Sequence, residues 1–219
     1  MKIAALLATR KGSKRIRNKS TKKFGKFNLT TLKISQISKL KIFDNSYFSC
    51  DINSLNQYAK NKKFKLINRP KNFMGEATIS DFAPFLASHI REEHICYITN
   101  TSPLLSKQTI INAVKIYKKL DFKKFDSLST FEVCNDFLWN AKGPLNYDVK
   151  SQPMSQDLIG IYKFVPAISI IPRIKLIQYK NVIGLKPYKL LIKKPETIDI
   201  DTVYDYELAK IFNKKKRIK

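Results

Sequence analysis

Ile3-Ala4-Ala5-Leu6-Leu7-Ala8-Thr9-Arg10-Lys11-Gly12-Ser13-Lys14-Arg15-Ile16-Arg17-Asn18-Lys19 follows directly on the first two residues of the chain. The run Ile3–Ala8 carries no polar residue, so it reads as a strand buried on both faces. It then breaks into a loop in which one glycine and one serine stand among Arg10, Lys11, Lys14, Arg15, Arg17 and Lys19. Small residues let backbone N–H groups approach an anion closely, and Arg and Lys neutralise it. Ligands of open α/β sheets bind just beyond the carboxyl ends of strands, so the loop stands where a phosphate would. The same charges also fit a solvated basic run, and the loop alone leaves both readings open.

Outward from that strand, the pattern alternates. Helical spacing covers Thr31–Leu40, and Tyr47–Cys50 reads as a strand closed by Asp51. A helix is expected over Ile52–Lys60 and a short strand over Phe64–Ile67, closed by Arg69-Pro70. Ile79, Phe82, Phe85, Leu86 and Ile90 follow helical spacing before a buried strand at His94–Thr99. Thr101-Ser102-Pro103 breaks the chain ahead of a helix over Thr109–Lys119, and Ser127–Val133 is the next strand. This rhythm predicts a mostly parallel sheet with helices on both faces. It fails at Asn135–Asp157, where Gly143, Pro144, Pro153 and several asparagines leave little periodicity; the segment reads as a flap, hairpin or dimer arm. Regular structure resumes with Tyr162–Ile171, a short helix, strands near Val182 and Leu190, a helix over Asp205–Phe212 and a frayed Lys214–Lys219 tail.

The 219 residues suit one domain with a substantial core. The net charge of +25 rests on 35 Lys and only 7 Arg, spread along the whole chain. That distribution fits drift toward lysine better than a nucleic-acid surface, since Arg is the preferred reader of base edges, yet it still creates a positive field. Cys50, Cys96 and Cys134 are odd in number and widely spaced, with only His89 and His94 to join them, so neither a zinc site nor a disulfide framework is expected. Reduced thiols in the cytoplasm are the expectation. The apolar opening is too short for a signal peptide, and no run of about 18 apolar residues suggests a membrane span.

Ile198-Asp199-Ile200-Asp201 forms the second point of interest. In an extended segment both carboxylates face one way and both isoleucines the other. Two like charges on one face repel, and a cation between them removes that cost; Mg²⁺ favours one or two carboxylates together with substrate phosphates. Alternatively, Asp201 caps the following helix. A basic loop after the first strand and paired carboxylates near the end of the chain together suggest nucleotidyl transfer, in which positioning and charge neutralisation supply most of the rate.

With these residues in view, the chain resembles the acylneuraminate cytidylyltransferases (CMP-sialic acid synthetases) over nearly its whole length. Arg10-Lys11-Gly12-Ser13-Lys14-Arg15-Ile16 resembles that family's Arg-Gly-Gly-Ser-Lys-Arg-Ile loop, with Lys19 at its downstream lysine. Gly25-Lys26 resembles its Gly-Lys-Pro-Leu segment, Ser49-Cys50-Asp51 its Ser-Thr-Asp strand end, and Arg69-Pro70 its Arg-Pro pair. Thr101-Ser102-Pro103-Leu104 and Ile198-Asp199-Ile200-Asp201-Thr202 match two further motifs, and Asn146-Tyr147, Ser155-Gln156-Asp157-Leu158 and Ile161-Tyr162 resemble a subgroup known broadly as cytidylyltransferases. Six motifs in order carry far more weight than one.

The resemblance implies a Rossmann-like α/β nucleotidyltransferase fold in a single domain over residues 1–219, with 135–157 as a dimerisation segment. It implies transfer of CMP from CTP to a nonulosonic, sialic-acid-like sugar for surface glycans, with release of pyrophosphate, by a cytoplasmic homodimer. Arg10, Gly12, Ser13, Lys14 and Lys19 would hold the triphosphate, and Arg69 and Ser80 would lie near the cytosine and ribose. Asp199 and Asp201 would hold Mg²⁺, and Lys19, Arg10 and Asp201 would serve catalysis. A 3-deoxy-octulosonate cytidylyltransferase, a non-catalytic homologue and a basic nucleic-acid-binding protein are the alternatives. No specific nucleic-acid or membrane partner is expected.

The chain also departs from the family pattern. Lys11 stands at the second glycine, where a positive φ would strain it. Arg17 and Ser20 replace a frequent Pro and Asn, and Thr99-Asn100 replaces Gln-Pro. Met154 stands where an arginine is expected, and Val165-Pro166 where Asn-Gly is typical. These changes gather on the sugar side of the expected site.

Overall fold

A computed structural model describes residues 1–13, 15–73 and 77–215. The elements run β1 (Ile3–Ala8), β2 (Lys23–Phe24), β3 (Phe27–Asn28), α1 (Leu29–Ile37), β4 (Asn45–Ser49), α2 (Asn53–Asn61) and β5 (Lys65–Leu66). They continue with α3 (Ile79–Ser88), β6 (His94–Ile98), α4 (Lys107–Tyr117), β7 (Ser127–Cys134), β8 (Trp139–Asn140) and β9 (Gly143–Pro144). The chain closes with β10 (Ile161–Pro172), α5 (Arg173–Tyr179), β11 (Pro187–Leu191) and α6 (Val203–Lys215).

Seven strands form one sheet in the order β11-β7-β10-β6-β1-β4-β5. β1 is parallel to β4 and β6, β4 to β5, and β7 to β11, whereas β10 runs antiparallel to both neighbours, β6 and β7. The unbroken apolar run of β1 is explained by its central place. Ile3, Ala5 and Leu7 pack on one face with Ile34 and Ile37 of α1, Leu55 and Ala59 of α2, and Ile110, Ala113, Val114 and Tyr117 of α4. Ala4, Leu6 and Ala8 pack on the other with Ala83, Leu86 and Ala87 of α3 and Leu176 of α5. The result is the mostly parallel α/β sheet covered on both faces that the alternating pattern predicts.

Local chemistry sets the element ends. Asn28 caps α1, its Oδ1 accepting from Thr31 N at 2.8 Å while Thr31 Oγ1 accepts from Asn28 N at 3.0 Å, a reciprocal cap that contributes about 1 kcal/mol. The pairing of β10 with β7 shifts register between Phe164 and Ser169. Thr130 fixes that bulge: its Oγ1 donates to Val165 O at 2.7 Å and accepts from Ile168 N at 3.1 Å. A proline is tolerated in a strand at such a bulge, and bulges re-aim side chains beside sites; here the residue is Pro166.

Three expectations fail. Val182 is buried in a bend, not a strand. Asn181 Oδ1 accepts from Ile183 N, Ser127 Oγ from Gly184 N, and the Asp126 carboxylate from Leu185 N and Lys186 N, so side chains take the N–H groups that a strand would give to a neighbour. The closing helix starts at Val203 and extends through Lys215, so Lys214 is helical; residues 216–219 of the expected frayed tail lie outside the described residues. Asp201 does not cap it. Thr202 does, accepting from Asp205 N at 3.2 Å while the Asp205 carboxylate accepts from Thr202 N at 2.7 Å.

A third apolar cluster ties the two ends of the chain together. Ile16 of the basic loop, Phe24, Leu29 and Leu104 pack with Ile198, Ile200, Tyr206 and Ala209. No strand is assigned at Ile198–Asp201; Ile200 N donates to Thr101 O at 2.8 Å, and both isoleucines are buried, as the alternation requires.

Candidate functional site

Beyond the carboxyl ends of β1 and β6 lies a cavity of about 760 Å³. The loop after β1 contributes Arg10, Ser13, Arg15 and Lys19; Arg69, Phe82 and Tyr97 come from the segment after β5, from α3 and from β6; Thr99, Asn100 and Thr101 follow β6, and Pro166 comes from β10. Among the described residues, four cations and no carboxylate line it, so these side chains favour an anion. A smaller hollow of about 310 Å³ between Leu32, Leu105 and Lys107 carries none of the motif residues expected to bind substrate.

The loop after β1 is held from below. Lys11 N donates to Asp51 Oδ1 at 2.7 Å, so the aspartate that ends the Ser49-Cys50-Asp51 motif anchors the loop. The positive φ falls at Gly12, +81°, and not at Lys11, whose side chain is exposed. A Cβ at Gly12 would meet nothing within 4 Å, so the demand for glycine there is one of conformation and not of space. The expected strain at Lys11 is therefore absent. Lys14 lies outside the described residues.

Lys19 is nearly enclosed, and its ammonium donates to Ile200 O at 2.8 Å and to Asp201 Oδ1 at 3.2 Å. Arg15 Nη2 donates to the same Asp201 oxygen at 2.8 Å. The two ends of the chain thus meet over the cavity. Asp199 is largely buried beside Thr101, and its Oδ1 has no hydrogen-bond partner. Burial, with the Asp201 charge adding to it, pushes the Asp199 carboxyl upward. Among the described residues no group of three or more His, Cys, Asp or Glu converges as a metal cluster.

Arg69 is 5% exposed, packs over the Phe82 ring with its guanidinium carbon 4.8 Å from the centroid, and donates from Nη2 to Ser49 O at 3.4 Å. Its Nε has no partner. Burial draws its pKa down, while Tyr97 and Asp51 act against that. A buried, under-satisfied guanidinium at the wall of a cavity is set to meet an acceptor. Ser80, by contrast, is exposed on α3 and does not line the cavity; its neighbours Thr78 and Ile79 do. The structure therefore brings Arg10, Ser13, Lys19 and Arg69 to one cavity, sets Asp201 against Lys19, and leaves Ser80 outside.

Sequence reasoning missed part of the site. Arg15, named only within the loop motif, is a partner of Asp201. Phe82 and Tyr97 reach the cavity from residues that look like ordinary core positions, and no signal in the sequence separates them. Asn100, Ser20 and Pro166 were visible only as departures from the family pattern, and all three line the cavity.

Comparison with known proteins follows the geometry. The chain is similar in fold to a CMP:2-keto-3-deoxy-manno-octonic acid synthetase complexed with CTP, at a TM-score of 0.72 and 10% identity over 99% of this chain and 100% of that one. It is also similar to a 4-diphosphocytidyl-2C-methyl-D-erythritol synthase from Anaerococcus prevotii, with a TM-score of 0.69, 10% identity, and coverage of 97% and 98%. A third is a cytidylyltransferase from Leptospira borgpetersenii, with a TM-score of 0.60, 15% identity, and coverage of 96% and 85%. No curated protein matches the chain in sequence. The cytidylyltransferase family model matches residues 4–141, from β1 through the basic loop, Arg69 and the Thr101-Ser102-Pro103 segment to the start of the excursion. This chain belongs to the cytidylyltransferase family.

Proposed function

We propose that the protein transfers CMP from CTP to the hydroxyl of an acidic sugar of the nonulosonic, sialic-acid-like class, releasing pyrophosphate. The observation that carries this is the meeting of Lys19, Arg15 and Arg10 at the carboxyl end of β1 beside a cavity whose charged lining, among the described residues, is cationic. Those groups neutralise the charge that builds on the triphosphate as the bond between the α- and β-phosphates breaks. In this reading, Gly12 and Ser13 bring the loop backbone against the phosphates, and Lys14 belongs to the same loop. Arg69 supplies a buried donor to the nucleoside end. Ser80 has no place in the site as built.

The unpartnered Oδ1 of Asp199 beside the Asp201 carboxylate fits a divalent cation. Asp199 and Asp201 would hold Mg²⁺, which would add charge neutralisation at the phosphates. Asp201 also steers Lys19 and Arg15. The exposed apolar side chains between β7 and β10 support a homodimer, with Trp139, Leu145, Met154 and Ile159 as its contact surface. The described residues include no helix long and apolar enough to cross a membrane, and a cytoplasmic enzyme acting on CTP agrees with that.

Met154 offers no charge to a sugar carboxylate, and the octonic acid synthetase is a structural neighbour over the whole chain. A 3-deoxy-octulosonate acceptor is therefore the second reading. Pyrophosphate release from CTP and Mg²⁺, followed across a panel of nonulosonic acids and 3-deoxy-octulosonate, distinguishes them. Turnover with a nonulosonic acid supports the first reading and turnover with octulosonate alone supports the second. No turnover with any acceptor, together with no stabilisation by CTP, overturns both.

A further inference from the structure

The polar residues beneath the basic loop form a hydrogen-bond chain with only one permitted direction. Ser20 Oγ donates its single hydrogen to Arg10 O at 2.9 Å. It must therefore accept from Thr9 Oγ1, 2.5 Å away, and Thr9 in turn accepts from Asn100 Nδ2 at 3.3 Å. Thr30 Oγ1 gives its hydrogen to Ser20 O at 2.8 Å, so it too accepts from Asn100 Nδ2, at 2.9 Å. Both N–H groups of the Asn100 carboxamide are consequently used inside the protein. Turning the carboxamide over would set its oxygen against two hydroxyl oxygens with no hydrogen between them.

Asn100 lines the cavity, and Oδ1 is the one polar atom of its side chain left without a protein partner among the described residues. Beside it, Thr99 has committed its hydroxyl hydrogen to Pro166 O at 2.7 Å. The wall made by Thr99 and Asn100 thus presents acceptors, whereas the adjoining loop carries the positive charges of Arg10, Arg15 and Lys19. A phosphate or carboxylate is repelled by the first and drawn to the second. With triphosphate on the cationic loop and Arg69, Phe82 and Tyr97 on the nucleoside side, the Thr99–Asn100 wall remains for the second substrate.

The geometry points to Asn100 as a further specificity-determining residue, whose carboxamide oxygen receives a hydroxyl or amide N–H of the acceptor sugar and turns away its carboxylate. This rests on the two-substrate reading above. Ser20 and Asn100, two separate departures from the family pattern, become parts of one device: the serine passes the polarity on, and the asparagine displays it.

The test has two arms. In protein labelled with ¹⁵N-asparagine, the Asn100 side-chain protons should exchange at least about tenfold more slowly than those of exposed Asn140 and should not shift when CTP is added. Exchange as fast as at Asn140 overturns the proposal, since the N–H groups would then face the cavity. In the second arm, Asn100→Leu should raise the KM of whichever sugar acid of the panel is turned over by about tenfold, the weight of one hydrogen bond, and should weaken CTP binding, measured by calorimetry, by clearly less than that. Loss of CTP affinity with an unaltered acceptor KM overturns it as well. If the native protein binds CTP but uses no sugar acid, the acceptor reading falls, and the exchange rates still decide the polarity of Asn100 without any variant.

Discussion

The loop Thr9–Ser20 and the excursion between Cys134 and Ile161 both leave the sheet at strand ends and are both pinned by polar side chains on backbone groups, but they turn opposite chemistries to solvent. The loop is anchored from beneath by buried polar groups: Asp51 on Lys11 N, Ser20 on Arg10 O, and Ile16 seated in the apolar cluster under α6. Its open side carries cations. The excursion is pinned mainly by Asn146, whose side chain accepts from Leu138 N and donates to Asp136 O and Ile159 O. It turns Trp139 (58% exposed), Met154 (67%) and Ile159 (76%) to solvent. An open site rich in cations is completed by an anionic ligand, and an exposed apolar surface is completed by another protein surface. Under the proposed function, the contrast would separate the region that binds substrate from the region that binds a second copy.

Substitutions should break these two regions independently. The largest effect belongs to Lys19→Met, which removes the nearly enclosed cation of the basic loop; CTP-dependent pyrophosphate release should fall by roughly 100-fold or more, while the mass by light scattering is unaltered. Ile159→Asp should do the reverse, halving the mass in solution by opposing a charge to an apolar contact, with CTP affinity retained. A loss of CTP binding in Ile159→Asp would show that the two regions are not separable.

A pH effect sharpens the polar side of the comparison. Lys33 of α1 is wholly buried under the cavity wall, its ammonium donating to Ser102 O at 3.0 Å and Gln36 Oε1 at 2.8 Å. Burial lowers its pKa from 10.5 to about 7, against the pull of Glu196. Between about pH 7 and 10.5 the unfolded chain therefore binds the additional proton, so this lysine makes stability rise with pH across that window and leaves it flat below. Urea titrations at pH 6 and pH 9 should show a gain of the order of a few kcal/mol from this residue, and Lys33→Met should remove the difference. The smallest effects test the loop backbone. Gly12→Ala should cost about 1 kcal/mol, the penalty of a left-handed φ, whereas Lys11→Gly should change stability by less than about 1 kcal/mol.

Much of the fold was legible because β1 is central. Its uninterrupted apolar run required two covered faces, and the alternation of strands and helices supplied them. The antiparallel direction of β10 was not legible, since burial on both faces gives the same pattern in either direction. Val182 misled because an apolar residue buried under a bend looks like a strand residue, and the side chains of Asn181, Ser127 and Asp126 that hold the bend do not announce their partners. In the site, the cations and carboxylates were legible by chemistry, and Arg69 by its motif. Phe82, Tyr97 and the Thr9–Ser20–Thr30–Asn100 chain were not, because each acts through neighbours distant in sequence. The strain expected at Lys11 dissolved because the turn sets its positive φ one residue later.

The central claim is that the loop after β1 binds the triphosphate of a cytidine nucleotide. Calorimetry with CTP, CDP and CMP, each at two salt concentrations, tests it most directly. Affinity should fall at each loss of a phosphate, weaken with salt, and collapse for CTP in Lys19→Met to the level of CMP. Equal binding of CTP and CMP, or CTP binding untouched by Lys19→Met, would contradict the account.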